Sequence, residues 1–317
     1  MSSKSTKKPV IFLMGPTACG KTSLAIELAK TMPISIINVD SAQIYIGMDI
    51  GTNKPTKEQL ATTKHHLIDI CLPQNNYSVA EFCKDANNLI KQIHANGSIP
   101  LLVGGTMLYF YALNFGLAEL PAKNTDVRQD ILQSAVEHGW PEMHARLAKL
   151  DPTIANNIAI NDSQRIQRAL EINILTGKKV SDCFNYNKIN NFMADCNIYY
   201  FGLLQQDRAV LHKKIADRFD SMVKQGFIEE VEYLLQQNIP LSMPAMRCVG
   251  YRQIIEYLQN KASKEAAYQK AIIATRQLAK RQYTWLRKWQ KLVDLQLIYS
   301  ESLEQHNLDL ITKFYQM

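Results

Sequence analysis

Eight consecutive residues carry the clearest chemistry. Gly15-Pro16-Thr17-Ala18-Cys19-Gly20-Lys21-Thr22 fits the spacing G-x-x-x-x-G-K-[ST] in full. Its glycines let backbone N–H groups curl around phosphate oxygens, and a helix opening at the loop adds favourable charge. Lys21 contributes a point charge, and the Thr22 hydroxyl can hold Mg2+. The motif reports a bound di- or triphosphate; whether that group is transferred or departs stays open. Asp40 is a second candidate, at the carboxyl end of the β-branched run Ile34 to Val39 and ahead of Ser41-Ala42-Gln43. It can bind magnesium indirectly or take a proton from an acceptor substrate. A helix-capping or turn-forming aspartate is the plainer alternative. Gly104-Gly105-Thr106 ends a later run, where paired glycines admit close approach of backbone to ligand and Thr106 offers a hydroxyl.

These groups need a frame. Val10 to Met14 is a short apolar run between Pro9 and Gly15 and reads as a buried strand; Ile34 to Val39 and Pro100 to Val103 read the same way. Helical periods run over Thr22 to Thr31 and about Val79 to Ala95. Strands alternating with helices predict a parallel sheet with helices on both faces. In such a sheet the carboxyl edges of the strands surround the ligand crevice, which puts Asp40 near the phosphate loop. From Gly116 strand-like runs vanish and helical periods follow around Val127 to Glu137, Met143 to Leu150 and Ser163 to Leu175. Ile198 to Leu204 predicts a return to the sheet. Helices are expected over Ala209 to Gln225, Ile228 to Gln236, Arg252 to Gln259 and Lys264 to about Trp289. The domain reading is therefore residues 9–115 as the first part of an α/β core, 116–197 as an all-helical insertion, and 198–317 as the core resumed with basic C-terminal helices.

At 317 residues, 46% hydrophobic and 21% charged, the balance is that of a globular protein and excludes wholesale disorder. The six cysteines (19, 71, 83, 183, 196 and 248) show no C-x-x-C spacing, and the seven histidines form no H-E-x-x-H, which argues against a zinc site or disulfide scaffold. Val10 to Met14 is too short for a signal-peptide core or a membrane span, so a soluble protein of a reducing compartment, most simply the cytoplasm, is expected. Between Lys270 and Lys291 lie seven basic and no acidic residues, as many as the formal net charge of +7. Such a local excess suits a long polyanion; a plain solvated helix face is the alternative. Counted from Arg276, Lys280 and Arg287 share one helical side, which Arg281 and Lys288 widen. Leu278, Trp285 and Trp289 can face a core or stack, and core packing is the expectation for the tryptophans.

Several stretches together resemble one family, the tRNA dimethylallyltransferases. These are GPTACGKT (Gly15 to Thr22), VDSAQIYIGMDIGTNKP (Val39 to Pro55) and LLVGGTMLY (Leu101 to Tyr109), then NDSQRIQRALE (Asn161 to Glu171), RCVGYRQ (Arg247 to Gln253) and ATRQLAKRQYTWLR (Ala274 to Arg287). They cover nearly the whole chain in order, and the later ones are more specific than the phosphate loop. The bacterial form is the one resembled most, without the zinc-finger extension of eukaryotic relatives.

The resemblance implies a P-loop NTPase-like parallel sheet core that does not act as a kinase. It also implies transfer of a dimethylallyl group from dimethylallyl diphosphate to N6 of adenosine 37 in tRNAs reading codons that begin with U. Diphosphate leaves, Mg2+ is the cofactor, and a monomer with no membrane association is expected. The same loop in this family is often described as ATP-binding on motif grounds. Carried over by motif, Asp40 resembles the general base, Thr22 the magnesium and diphosphate contact with Lys21 beside it, and Arg218, in Ala216 to Phe219, the arginine that grips the diphosphate from the other side. The whole loop, Gly15, Pro16, Thr17, Ala18, Cys19, Gly20, Lys21 and Thr22, holds the leaving group. Asp40, Ser41, Ala42 and Gln43, with Thr106 and Met107, resemble the part that meets the anticodon-loop bases. Gln164, Arg165 and Arg168, then Arg247, Gly250 and Arg252, then Arg276, Lys280 and Arg281 resemble further tRNA contacts. Cys19 stands where serine is frequent and Met107 where many members have glycine; neither change removes a catalytic group. Two other readings stand beside this one. A small-molecule P-loop kinase explains the loop and sheet but leaves Lys270 to Lys291 without purpose, and a non-catalytic RNA-binding module makes Asp40 dispensable.

Overall fold

The structure is a computed structural model and describes residues 7–118, 120–183, 193, 195–301 and 304–316. In chain order, β1 (Lys8–Met14) leads through the phosphate loop into α1 (Lys21–Thr31). β2 (Ile34–Val39), α2 (Lys57–Thr62), β3 (His65–His66), α3 (Val79–Ala95), β4 (Ile99–Gly104) and α4 (Met107–Phe115) follow. A helical stretch holds α5 (Thr125–Leu150), α6 (Pro152–Ala155), α7 (Ser163–Thr176) and α8 (Val180–Cys183). The chain then forms β5 (Cys196–Leu204), α9 (Arg208–Lys224), α10 (Phe227–Gln236), a 3-10 turn (Ala245–Arg247), α11 (Tyr251–Leu258), α12 (Lys264–Trp289), β6 (Leu295–Tyr299) and α13 (Glu304–Gln316). It divides into two compact units, 1–114 with 192–317, and 115–191. No described helix is long and apolar enough to cross a membrane.

The sheet runs β3-β2-β4-β1-β5-β6 with all paired neighbours parallel. β1 lies between β4 and β5, and Val10 to Met14 are fully buried, which is why the run is apolar without alternation. On one face Ile11 and Leu13 pack with Leu24 and Leu28 of α1 and Ile311 of α13. On the other, the Phe12 ring lies 5.1 Å from Phe110 of α4 and 6.5 Å from Trp289 of α12. Register then fixes the site, because Met14 pairs with Gly104 and Gly104 with Val39. Three strand ends lie level, and Gly15, Gly105 and Asp40 leave the sheet side by side.

The α/β architecture expected from the alternating periods is present, with local differences. β5 begins at Cys196, where it already pairs with Lys8. α4 was not expected as a helix: its sequence, MLYFYALNF, is apolar nearly all round and so carries no period. β6 was missed as well, being five residues with only Leu295 and Ile298 fully turned inward. The two helical periods around 127–137 and 143–150 form one stretch, α5, broken at Gly139 (φ 80, ψ 158) just ahead of Pro141.

The second unit packs Ile131, Met143 and Leu147 of α5 against Ile166, Leu170 and Ile172 of α7. Within it Glu171 is fully buried and ion-paired to Arg128 at 3.0 Å and Arg168 at 2.7 Å, and it accepts the Asn124 N–H at 2.8 Å. Burial would push its carboxyl up, but the hydrogen bonds from Arg128, Arg168 and Asn124 outweigh that and hold it below the ordinary value. Glu171→Ala leaves two half-buried guanidinium groups facing each other and is expected to cost about 3 kcal/mol. With the folded pKa lowered, the carboxylate's contribution is present above its unfolded pKa and is lost as pH falls through the folded value. Urea denaturation against pH, with amide exchange read on Ser163–Thr176, checks both: the wild type weakens in acid, and the variant is weak throughout.

Candidate active site

The phosphate loop turns sharply between β1 and α1. Gly20 has φ 95, which favours glycine, while Ala18 takes φ 66 with a side chain and stores strain at the loop. Lys21 arches back over the loop, its Nζ donating to Pro16 O at 2.6 Å, with the Cys19 sulfur 3.7 Å away. Cys19 itself is 1% exposed and lies beneath the loop. Thr17, Ala18, Gly20, Lys21 and Thr22 line a cavity of about 720 Å3 at the carboxyl edge of the sheet.

Asp40 lines the same cavity. Its Oδ1 accepts the N–H groups of Ala42 at 2.8 Å and Gln43 at 3.3 Å, so the turn-forming role and a place in the cavity coexist. Among the described residues Oδ2 has no donor. The loop behind it is firmly held. The Gln43 side chain donates to the carbonyls of Thr52 and Asn53, each at 3.0 Å. Lys54, with its side chain 5% exposed, donates to Tyr45 O at 2.6 Å and pairs with Asp49 at 2.6 Å and Asp69 at 2.5 Å. Glu230 of α10 accepts the N–H groups of Asp49, Ile50 and Gly51 at 2.8, 2.7 and 3.1 Å and the Tyr251 hydroxyl at 2.5 Å.

Across the cavity α9 presents Arg218, half-buried and without an ion pair among the described residues. Burial lowers its pKa from the ordinary value, partly offset by the Cys19 sulfur, and an arginine remains a cation. Ile215, Phe219 and Met222 of the same helix, with Phe227 and Tyr251, form an apolar wall. Two weakly acidic groups near Asp40 are neutral at pH 7. Burial, with the Asp40 charge second, pushes the Cys248 thiol up to about 12, and burial raises the Tyr109 hydroxyl well above its usual range. No cluster of three His, Cys, Asp or Glu side chains occurs among the described residues. Thr22 offers one hard oxygen at the helix start, which fits a Mg2+ that takes its other ligands from phosphate and water.

A family model described as IPP transferase matches residues 43–289. The chain is 47% identical over 307 residues to a tRNA dimethylallyltransferase of Nitrosomonas eutropha, covering 96% of each. A solved tRNA isopentenylpyrophosphate transferase of Bacillus halodurans superposes with TM-score 0.69 at 33% identity, over 98% of this chain and 96% of that one. A eukaryotic dimethylallyltransferase solved acting on tRNA gives TM-score 0.82 at 28% identity, over 98% of this chain and 80% of that one. The chain belongs to the IPP transferase family.

The residues picked out by resemblance to the IPP transferase family fall into three groups. Ser41, Ala42, Gln43, Thr106, Met107, Arg218, Arg247, Gly250 and Arg281 line the cavity with the phosphate loop and Asp40. Arg252 is exposed on α11, outside the lining. Gln164 and Arg165 are exposed on α7 of the helical unit, where Arg168 is spent internally on Glu171 and on Pro121 O at 2.7 Å. The basic side of α12 and the cavity-lining side of α12 are different sides. Arg276, Lys280 and Arg287 do share one side of α12, but Leu278, Gln282 and Trp285 of the cavity lining stand roughly opposite. Arg276 leans on α9, its Nη2 3.5 Å from His212 O. Of the basic residues on α12, Arg281 alone lines the cavity. Trp289 is core, as expected, whereas Trp285 lines the cavity with Lys288 5.1 Å above its ring.

The paired glycines line the cavity and also admit close approach within the protein. A Cβ at Gly104 would lie 2.0 Å from Val39 O, and one at Gly105 2.3 Å from Gln282 Nε2. The close approach they permit is to the protein's own backbone and to Gln282. Gln282, Glu230 and Lys54 were not foreseen. Gln282 lies inside the motif Ala274 to Arg287 and Lys54 inside Val39 to Pro55, while Glu230 looks like an ordinary surface charge in sequence. Because Val39 is backbone in a paired strand, Gly104→Ala is expected to cost about 3 kcal/mol, at the top of the overpacking range. Gly105→Ala meets a side chain that can swing away and should cost about 1–2 kcal/mol in lost hydrogen bonds. Chemical denaturation of the two variants checks the order, and equal losses would contradict the distinction.

Proposed function

We propose that the cavity transfers a dimethylallyl group from its diphosphate to N6 of adenosine 37 in tRNAs reading codons that begin with U. The observation that carries this is that a phosphate loop and Arg218, without an ion pair among the described residues, line the same cavity as Asp40, whose Oδ2 has no donor among those residues. The apolar wall of Ile215, Phe219, Met222 and Phe227 suits an isoprenoid tail and keeps water away. The exocyclic amine of adenine is a poor nucleophile, since its lone pair is delocalised into the ring. As the N–C bond forms, its N–H acidity rises, and Asp40 Oδ2 within ~3 Å takes the proton. As the allylic C–O bond breaks, charge builds on the diphosphate, where Lys21, Arg218 and the loop N–H groups stabilise it. Thr22 would hold a Mg2+, which when bound would add neutralising charge at the leaving group.

Adenosine 37 must leave its stack to reach the carbon, at a cost of a few kcal/mol that is smaller in a single-stranded loop. Arg281 and Arg247 at the cavity, Lys280 and Arg252 nearby in the chain, and Gln164 and Arg165 on the helical unit supply polyanion contacts that offset it. Every group invoked comes from one chain, so a monomer suffices. A kinase reading uses the loop but gives Asp40 a phosphate acceptor and leaves Arg281 idle.

Labelled dimethylallyl diphosphate is expected to mark unmodified tRNA with Mg2+ and no ATP; an absolute ATP requirement, or ADP formed in step with a phosphorylated product, favours the kinase. Asp40→Ala should keep tRNA binding and lose single-turnover transfer on the order of 10²-fold or more. A rate within about threefold of wild type would remove the general base. Arg281→Glu should weaken tRNA binding and flatten its salt dependence with little change for the isoprenoid diphosphate; a salt-indifferent result would contradict the electrostatic assignment.

A further inference from the structure

Gln282 is buried on α12, and both halves of its amide are committed. Its Oε1 accepts the Thr17 N–H at 2.9 Å, and its Nε2 donates to Gly105 O at 2.9 Å. A flipped amide would set donor against donor and acceptor against acceptor, so the two bonds select one orientation. The missing side chain at Gly105 makes the room, since a Cβ there would stand 2.3 Å from Nε2. Beyond Gly105 the connection continues to the catalytic carboxylate. Thr106 N donates to Val39 O at 3.2 Å, and Thr106 Oγ1 accepts the Ser41 N–H at 3.1 Å, next to Asp40. One side chain therefore bridges the phosphate loop and the turn that supports the base. It comes from the helix that also carries Arg281 and Trp285 into the cavity.

We propose that Gln282 is a positioning residue that makes the geometry of the diphosphate site depend on how the polynucleotide engages α12. The inference rests on the function proposed above and deepens it. A helix moves as a unit over one turn, so an anion seated on Arg281 loads the neighbouring Gln282, and through Thr17 the loop. The Thr17 N–H, already held by the protein, then acts as the point at which the loop is steered, and the amides from Ala18 to Thr22 are left for phosphate.

The test uses the full chain with Mg2+, inorganic pyrophosphate as probe, and an unmodified tRNA. In the wild type, tRNA should tighten pyrophosphate binding on the order of fivefold or more, and pyrophosphate should tighten tRNA by the same factor, as linkage requires. In Gln282→Leu the factor should fall to near unity while each ligand alone binds within about threefold of wild type. Gln282→Met, closer in length, is the second variant. Amide exchange at Thr17 in the wild type gives a reading that needs no variant: it should slow when tRNA binds. A merely structural glutamine would lower Tm and weaken both ligands equally with the coupling factor intact, and that result overturns the proposal. So does a wild type without coupling, or Thr17 exchange that ignores tRNA. Dimethylallyl transfer by the wild type is measured alongside: transfer without coupling removes this inference alone, and absent transfer removes the reading beneath it.

Discussion

The close approach of β4 to β2 at the sheet's carboxyl edge sets the geometry from which the site follows. Gly104 has Val39 O so near that any side chain would be driven into backbone. The register of β1, β4 and β2 brings Met14, Gly104 and Val39 level, and the three connections that leave them carry the phosphate loop, the Gly105 turn and Asp40. The phosphate loop and the Asp40 carboxylate, to which the proposed transfer gives the leaving group and the proton, are far apart in the chain. Sheet pairing makes them neighbours without either having to be held by a long, flexible segment.

Around that edge the polar groups divide sharply. Those that hold the frame are satisfied within the protein: Lys54 by Asp49, Asp69 and a carbonyl, Glu230 by three backbone amides and Tyr251, Gln282 by Thr17 and Gly105. Two that face the cavity keep capacity in reserve among the described residues, namely the Arg218 guanidinium and Asp40 Oδ2. A satisfied buried network is rigid, and a partly satisfied one is costly unless a ligand completes it. The arrangement thus places its incomplete hydrogen bonding where charge develops during transfer, and its complete hydrogen bonding where movement would spoil alignment.

The legible parts of this structure were those with local, high-contrast signals. The phosphate loop is contiguous, and β1 and β2 are short apolar runs bounded by Pro and Gly or by Asp, so the loop, the parallel sheet and the place of Asp40 at its edge followed from residues alone. Arg218 had no such signal and came from family resemblance. Glu230 looks like a solvated charge until the fold brings α10 to the 40–55 loop, and Lys54 until Tyr45 O, Asp49 and Asp69 gather around it. α4 hid because a helix apolar on all sides has no period, and β6 because five residues after a long helix carry little pattern. The basic segment of α12 was legible as charge but not as orientation: the helical side with three basic residues is turned away from the cavity, and Arg281, a third of a turn or so off that side, is the one that reaches it.

Gly105 shows the same limit in miniature. Glycine after a strand signals that something comes close, and sequence cannot say whether that is ligand or protein. Here it is the amide of Gln282. The central claim is that one cavity seats the departing diphosphate and the attacking amine at once. A crystal structure of the full chain with pyrophosphate, Mg2+ and an anticodon stem-loop tests it most directly. The account requires pyrophosphate oxygens on the amides of Ala18 to Thr22 and on Arg218, with the adenine N6 within ~3 Å of the Asp40 carboxylate. Pyrophosphate bound away from Gly15 to Thr22, or an adenine amine that Asp40 does not reach, would contradict it.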